Sequence, residues 1–420
     1  DRWEQSLDEL GQVVLLIGDA GLGKSRLIRE LREYVIQSHD ADGMQKAEPA
    51  VIEWRCSQYH QNTSYFPMVE FFSQLLELHR KSPQDRLETV VRFLRDIKLE
   101  TADNVWLICS ILNIPTDQRY PPLALSPQKL KDRTETLLLD WLEHLAASRP
   151  VLFIVEDLHW LDPTTLEFLE RFVQNYESSR VLCVLTFRPE FETPWKSNPH
   201  QTQIALNRLT KKQIGEMMLK RTNRKQIPEV VLQRVIDRTD GIPLFIEEFT
   251  VVIEESGLLD RLETDQDRST LLDIIPLSLN DLLLSRLDRM DANQDVIQMA
   301  ATIGREFPFG LLHATCNLPK AELQRELEKL VHSEILFQKG DGDRASFIFK
   351  HALLQDAAYR SILIRKRQLG HKRIAEVLET QFPDIASGQP SLLANHFTLA
   401  GMHEKGIEYW GKAGLRSQEP

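Results

Sequence analysis

The chain has 420 residues, of which 42% are hydrophobic and 27% charged, and its formal net charge is −11. This composition is typical of a folded globular protein of about two to four domains and excludes an intrinsically disordered chain. The acidic balance disfavours a protein built mainly to bind nucleic acid. No apolar run approaches the roughly 18 residues of a membrane span, and the first residues lack the basic and long apolar regions expected of a signal peptide. Four scattered cysteines without a C-x-x-C pair favour reduced thiols, and we expect a cytoplasmic protein.

The first half of the chain alternates short apolar runs with amphipathic helical patterns. Four such runs are predicted strands, at residues 13–17, 50–54, 151–155 and 181–187. Because these runs are apolar on both faces, they favour the central strands of a parallel sheet with helices on both sides. The repeated βα order predicts a doubly wound α/β domain over residues 1–208, with a helical insertion at about 66–147.

The second half of the chain is predicted to be mainly helical. A small helical domain is expected over residues 209–275, with the polar segment 261–270 as a linker. Helices followed by a hairpin signal around Gly340 to Asp343 predict a winged-helix domain over residues 276–385. Two amphipathic helices around Gly401 predict the first, truncated hairpin of a helical repeat over residues 386–420. Since the chain begins at Asp1 without Met and ends on a lone helical hairpin, we expect it to be part of a longer polypeptide.

The stretch GDAGLGKS matches the P-loop pattern G-x-x-x-x-G-K-[ST], with an apolar strand before it and a helix after it. Its glycines let backbone N–H groups approach phosphates, and the helix presents its positive end to the anion. Lys24 supplies a mobile charge for the β- and γ-phosphates, and the Ser25 hydroxyl is a ligand for Mg²⁺. The predicted nucleotide-binding residues here are Gly18, Asp19, Ala20, Gly21, Leu22, Gly23, Lys24, Ser25 and Arg26.

Two acids end the third predicted strand, in the stretch VLFIVEDLHWLDP. At the carboxyl edge of a parallel sheet, Glu156 occupies the position of the Mg²⁺-side acid and Asp157 that of a second, water-orienting acid. The first position is more often Asp, so the assignment between these two residues stays open. An acidic strand end is also common without any metal. The predicted metal ligands are Ser25, Glu156 and Asp157.

Three further residues have a structural and a functional interpretation. Arg188 ends the fourth predicted strand, where it is either a surface residue or a sensor of the γ-phosphate. Pro243, in a Gly-x-Pro stretch, either begins a helix or packs beside a nucleotide base. His351 begins the helix after the predicted wing, and a lone histidine is usually structural. The basic run 365–373 is interpreted as a solvated helix face, with a nucleic-acid patch as the alternative.

With these motifs in place, the chain resembles the signal-transduction ATPases with numerous domains (the STAND class of P-loop NTPases). Within that class it looks most like the ATPase modules fused to bacterial class III adenylate/guanylate cyclases and to large LuxR-type regulators. The resemblance covers essentially the whole chain and implies an NTPase core, a small helical domain, a winged helix and then TPR-like repeats. The phrases that carry it are GQVVLLIGDAGLGKSRL, VEDLHWLDPTTLEFL, LTFRPEF, TDGIPLFIEEFT, IGREFPFGLL and FKHALLQDAAY.

The resemblance implies roles for the three ambiguous residues. Arg188 matches the sensor arginine, Pro243 matches the proline that packs against adenine, and His351 matches the winged-helix histidine that contacts the β-phosphate of ADP. Glu156 departs from the commoner Asp, which puts metal geometry and hydrolysis rate in question. No cyclase or kinase signature occurs in these 420 residues, so any such activity is expected outside them.

We therefore expect a slow ATPase that acts as a regulatory switch, closed with ADP and open with ATP, and that uses Mg²⁺. Lys24, Glu156, Asp157 and Arg188 are its expected catalytic residues. Its expected partners are a fused effector such as a nucleotide cyclase, a protein or small-molecule signal on the carboxyl-terminal repeats, and further copies in a nucleotide-dependent oligomer. Two alternatives stay open: a non-hydrolysing scaffold that binds nucleotide for stability, and a DNA-binding regulator that acts through the winged helix.

Overall fold

The computed structural model describes residues 1–41, 47–57, 60–78, 81–176, 179–196, 198–222, 227–255, 279–289, 293–342 and 345–418. The predicted linker at 261–270 and Asp343 of the predicted hairpin lie outside these residues. No helix in the described part of the chain is long and apolar enough to cross a membrane.

The first half of the chain folds around a five-stranded, all-parallel sheet with the strand order β2-β3-β4-β1-β5. Its strands are β1 (Gln12–Ile17), β2 (Ala50–Arg55), β3 (Val151–Glu156), β4 (Val181–Phe187) and β5 (Gln201–Ala205). The four predicted strands are confirmed, because each buried run forms one of β1 to β4. Strand β5 was not predicted, since it is a mostly exposed edge strand without an apolar run.

Seven helices accompany this sheet. They are α1 (Arg2–Leu7), α2 (Lys24–Ala41), α3 (Phe66–Leu75), α4 (Pro83–Asp96), α5 (Ala102–Ile111), α6 (Pro127–Ser148) and α7 (Pro163–Asn175). Helix α7 begins where Asp162 accepts a 2.9 Å hydrogen bond from the backbone N–H of Thr165, with Pro163 at the first helical position. Helices α3 to α6 occupy the predicted helical insertion.

The sheet separates two apolar layers, as expected for strands that are apolar on both faces. On β3, Phe153 and Val155 face a large core that also contains helices α3 to α7. The alternate residues Leu152 and Ile154 face a smaller core with α1 and α2. Trp54 of β2 packs edge-to-face on Phe153, with ring centroids 4.8 Å apart. The sheet is therefore rigid on both sides, and the loops at its carboxyl edge are held in place.

The second half of the described chain is mostly helical. Its helices are α8 (Lys211–Thr222), α9 (Glu229–Thr239), α10 (Pro243–Glu255), α11 (Leu279–Arg289), α12 (Gln294–Ile303), α13 (Phe309–Thr315), α14 (Lys320–His332), α15 (Ala352–Ser361), α16 (Ile364–Gln381), α17 (Pro383–Gly388), α18 (Pro390–Leu399) and α19 (His403–Gln418). The predicted combination of a parallel P-loop sheet with a mainly helical carboxyl-terminal region is thus confirmed.

A second, three-stranded antiparallel sheet lies among these helices, in the order β6-β8-β7. Its strands are β6 (Glu306–Pro308), β7 (Leu336–Lys339) and β8 (Ser346–Phe349). Strands β7 and β8 form the predicted hairpin, whereas β6 is too short to give a sequence signal. The terms winged helix and TPR-like repeat, and the four domain boundaries, stay predictions.

Candidate nucleotide site

The predicted phosphate-binding turn connects β1 to α2 at the carboxyl edge of the parallel sheet. Gly18 donates a 3.2 Å backbone hydrogen bond to Phe187, the last residue of β4. Gly21 and Gly23 have φ angles of +85° and +98°, which residues with a side chain rarely adopt. A Cβ on Gly21 would also lie only 3.1 Å from Ile242. The turn therefore requires glycine for both its conformation and its packing.

The nine predicted residues of the turn differ in their exposure. Those that line the cleft in front of the sheet are Ala20, Gly21, Gly23, Lys24, Ser25 and Arg26. Leu22 is buried, and Asp19 is exposed. The backbone N–H of Gly18 already bonds to β4.

Lys24 is folded back onto its own loop. Its ammonium group donates hydrogen bonds of 2.5 Å to the carbonyl of Gly18 and 3.1 Å to that of Asp19. Burial lowers the pKa of Lys24, and the positive charge of Arg188 lowers it further, whereas the carboxylate of Asp157 raises it. The lysine is thus enclosed beside both Arg188 and Asp157, where an arriving phosphate would replace carbonyl acceptors with charged ones.

Ser25 and Glu156 are in direct contact. The Ser25 hydroxyl donates a 2.7 Å hydrogen bond to Oε2 of Glu156, and Nε of Arg55 lies 3.4 Å from Oε1. Hydroxyl and carboxylate oxygens are the hard donors that Mg²⁺ prefers, and this ion usually takes its other ligands from phosphates and water. The donor set therefore fits a magnesium ion. The described residues contain no group of three or more His, Cys, Asp or Glu side chains that could hold a metal by themselves.

Asp157 follows directly and faces the carboxyl-terminal half of the chain. Its φ angle is +63°, and its backbone N–H donates a 3.1 Å hydrogen bond to the Thr186 hydroxyl. Its carboxylate Oδ2 lies 3.6 Å from a guanidinium nitrogen of Arg305, which precedes β6. Glu156 and Asp157 thus point to different partners, Ser25 and Arg305 respectively. Which of the two acids binds a metal stays a prediction.

A cleft of about 2590 Å³ runs in front of the phosphate-binding turn. Single-ligand sites usually measure about 300–1,000 Å³, so a nucleotide would occupy only part of it. The cleft is also lined by Arg188, Pro243, Arg305 and His351. The structure therefore brings all three ambiguous residues of the sequence to the same cleft as the turn.

Pro243 is the first residue of α10, next to the turn. The following residue, Leu244, donates a 3.1 Å backbone hydrogen bond to the carbonyl of Gly21. The start of α10 is therefore fixed to the phosphate-binding turn, and Pro243 lines the cleft there. Contact with a base stays a prediction.

His351 occupies the N-cap position of α15 but makes no side-chain cap bond. Its Nε2 atom is buried and has no hydrogen-bond partner in the described structure. Burial lowers the pKa of His351 to about 4, against the opposing charge of Glu247, so the ring is neutral at pH 7. The neighbouring Lys350 bonds to Glu247 at 3.1 Å and to Glu334 at 2.7 Å. These ion pairs tie the segment that carries His351 to α10.

Four charged residues of the site were not predicted from the sequence. Arg55 ends β2, beside Glu156 in the sheet register, so a cation at the end of a neighbouring strand was an available signal. Arg305, Glu247 and Lys350 reach the site only through the packing of distant segments. No local pattern marks such residues.

Comparison with known proteins supports the sequence motifs. Residues 2–185 match the family model described as "AAA ATPase domain". An uncharacterized protein of Rhizobium meliloti (strain 1021) is 24% identical over 99% of this chain and 39% of its own length. Adenylate cyclase type 10 of Rattus norvegicus is 21% identical over 62% of this chain and 16% of its own length. The chain thus spans well under half the length of these curated relatives.

A solved structure, that of a Signal Transduction ATPase with Numerous Domains (STAND) protein with a tetratricopeptide repeat sensor from Pyrococcus horikoshii, covers 98% of this chain and 57% of that chain at 11% identity and a TM-score of 0.43. Residues 2–185 are thus similar to the AAA ATPase domain family. Membership of the STAND class stays a prediction from the sequence motifs.

Proposed function

We propose that this chain is the regulatory ATP/ADP switch of a larger signalling protein and that it hydrolyses ATP slowly. The observation that carries the proposal is the shared cleft of the phosphate-binding turn and His351, whose buried Nε2 atom lacks a partner in the described structure. A buried polar atom without a partner costs free energy, which a phosphate oxygen would recover. We propose that ADP supplies this oxygen and stabilises the closed arrangement.

The residues of the turn perform the chemistry of binding. Lys24 exchanges its two carbonyl acceptors for the β- and γ-phosphate oxygens, and Ser25 and Glu156 hold Mg²⁺. When bound, this ion would neutralise phosphate charge. Asp157 accepts a hydrogen bond from the attacking water. Arg188, at the end of β4, detects whether the γ-phosphate is present.

The closed arrangement is held by ion pairs between α10 and the carboxyl-terminal helices. Lys350 binds Glu247, and the buried Arg286 of α11 pairs with the buried Glu248. Because α10 begins at the phosphate-binding turn, a change in the occupant of the turn is transmitted along α10 to these pairs. Such a two-state element, biased by different contacts in its two states, is what a ligand-operated switch requires.

The effector is proposed from the relatives. The chain matches a minor part of adenylate cyclase type 10, so most of that protein lies outside the matched region. We propose that this switch controls a fused or associated effector such as a nucleotide cyclase, and that the carboxyl-terminal helical hairpin receives a protein or small-molecule signal.

The basic run 365–373 does not favour DNA binding. Lys366 bonds to Asp295 at 2.5 Å, and Lys372 lies 3.8 Å from Glu376. Arg373 bonds to Asn317. Cations that are already paired release fewer counterions from a DNA backbone than free ones.

The test measures how much ADP remains bound after purification, how fast it exchanges, and how fast ATP is hydrolysed. Lys24→Ala should abolish nucleotide binding, whereas His351→Ala should leave ATP binding intact but speed ADP release by about tenfold, the loss of one good phosphate contact. His144→Ala is the matched control, because His144 is exposed on α6 outside the cleft. Unchanged ADP release in His351→Ala would refute the switch, and retained ADP without any ATP turnover would favour the non-hydrolysing scaffold.

A further inference from the structure

Arg305 bridges the cleft between the two halves of the chain. It precedes β6, and its carbonyl accepts a 2.9 Å hydrogen bond from the backbone N–H of Phe349 in β8. Its backbone therefore belongs to the three-stranded sheet. Its guanidinium group lies 3.6 Å from Oδ2 of Asp157, at the edge of the parallel sheet. Both side chains are about one-third exposed or less, at 35% for Arg305 and 26% for Asp157.

The backbone of Asp157 is fixed, and only its side chain can change conformation. The left-handed backbone conformation and the hydrogen bond to Thr186 fix its main chain. The Asp157 carboxylate can therefore change its partner when another group approaches it from the cleft. Among the described residues, Arg305 is the cation with which this carboxylate forms an ion pair.

One hydrogen-bond donor of Arg305 has no partner among the described residues. Its Nε atom is buried and makes no hydrogen bond to any described residue. A guanidinium group with one arm on a carboxylate and another arm unsatisfied is not held as firmly as a bidentate pair. Arg305 can therefore leave Asp157 without losing a complete hydrogen-bond network.

Arg305 and His351 belong to one rigid unit. His351 comes two residues after Phe349, whose N–H bonds to the Arg305 carbonyl. Both side chains line the same cleft, and the positive charge of Arg305 contributes to the lowered pKa of His351. Any movement of the three-stranded sheet that takes His351 away from the turn also takes Arg305 away from Asp157.

We propose that Arg305 is a positioning residue that restrains ATP hydrolysis by holding the Asp157 carboxylate. In hydrolysis, the water oxygen bonds to the γ-phosphorus while the bond from that phosphorus to the ADP oxygen breaks. The water proton passes through the Asp157 carboxylate to the product phosphate. Arg305 holds this carboxylate on its Oδ2 side, so turnover waits for the three-stranded sheet to move. This inference rests on the proposed switch and adds the reason for its slow hydrolysis.

The experiment compares steady-state kcat and KM for ATP in the full chain. Arg305→Gln keeps the size of the side chain but removes its charge, and it should raise kcat about two- to fivefold with KM unchanged, the factor expected from a partly exposed ion pair. Arg305→Lys should return kcat towards the wild-type value. In an Asp157→Asn background, where the carboxylate is absent, Arg305→Gln should have no further effect.

Lys339→Gln serves as the matched control. Lys339 lies 3.3 Å from Gln74 across the same two halves of the chain but does not reach Asp157. Its removal takes away one exposed contact between the halves but leaves the Arg305–Asp157 pair in place, so kcat should change less than in Arg305→Gln. The proposed restraint would be overturned if the kcat of Arg305→Gln were equal to or lower than that of the wild type. It would also be overturned if neither protein hydrolysed ATP. The switch itself is judged separately by ADP release from His351→Ala, so the two failures are distinguishable.

Discussion

The hydroxyl of Ser25 and the carboxylate of Glu156 are joined by a 2.7 Å hydrogen bond, although 131 residues separate them in the sequence. The two donors of the proposed magnesium site are therefore brought together by the fold itself. A preformed pair loses less conformational entropy on binding than two independent side chains would. The site thus needs only the ion and the phosphates.

This pair leads to a prediction about Mg²⁺. Glu156→Gln keeps an oxygen that accepts the Ser25 hydrogen bond but removes the charge that attracts the ion. We expect the tightening of ATP binding by Mg²⁺ to fall by about tenfold, or ~1.4 kcal/mol, while binding without Mg²⁺ stays the same. Titration with a fluorescent ATP analogue with and without Mg²⁺ measures this. Glu143→Gln, at an exposed position on α6, is the control. If the variant lost the same ATP affinity with and without Mg²⁺, Glu156 would stabilise the fold and would not bind the ion.

A second prediction concerns Gly241, which precedes α10 and has a φ angle of +73°. A Cβ at this position would lie 2.6 Å from the carbonyl oxygen of Leu209. Gly241→Ala should therefore destabilise the chain by about 1–3 kcal/mol and speed ADP release, because it displaces the start of α10.

Gly215 offers the matched control for this substitution. It lies within α8, and a Cβ there would meet Leu232 at an ordinary distance of 3.8 Å. Gly215→Ala should stabilise the chain by about 0.5–1 kcal/mol, since alanine is the better helix former. Urea unfolding followed by circular dichroism compares both variants. If both substitutions changed the free energy of unfolding equally, an alanine at position 241 would cause no strain.

A third prediction is a loss of stability in mild acid. His371 and His396 are buried, with their Nδ1 atoms 2.8 Å apart, and the Tyr359 hydroxyl lies 2.7 Å from Nε2 of His371. Burial lowers the pKa of His371 to about 4 and that of His396 to about 3, from an ordinary 6.5. The unfolded chain therefore takes up protons first. The stability from these rings is complete above pH 6.5 and is lost towards pH 4, by up to ~1.4 kcal/mol per pH unit for each ring.

The double variant His371→Leu, His396→Leu tests this expectation. Its free energy of unfolding should depend less on pH between about 6.5 and 5, whatever its stability at neutral pH. The exposed His403→Gln serves as the control and should keep the wild-type dependence. An identical pH dependence in the double variant would mean that these rings already titrate normally in the folded chain.

A fourth prediction concerns opening of the module. The hydroxyls of Thr63, in the loop before α3, and Ser391, in α18, lie 2.5 Å apart. Cysteines at both positions are close enough to form a disulfide. If ATP opens the module by moving α18 off this loop, oxidised Thr63→Cys, Ser391→Cys should release ADP several-fold more slowly than the reduced form. Thr63→Cys alone should not respond to oxidation. Equal release rates despite a complete cross-link would exclude movement at this contact.

The parts of the fold that could be predicted are those with a local cause. The strands β1, β3 and β4 are buried on both faces and β2 on one face, so their apolar runs are visible in the sequence. The glycines of the phosphate-binding turn follow from its backbone conformation. Strand β5 is exposed and β6 has three residues, so neither leaves a pattern. The ion pair of Arg305 with Asp157 arises only when two distant segments pack, and no spacing in the sequence encodes it.

The helical insertion shares its core with the parallel sheet. Phe72 of α3 and Trp141 of α6 pack together, with ring centroids 4.9 Å apart, in the same apolar cluster as Phe153 of the central strand β3. Deleting residues 66–147 would therefore uncover the apolar face of the sheet, because these helices form part of its core. A shortened ATPase made in this way would expose an apolar face and aggregate. A homologue without these helices must carry some other apolar layer over the same strands.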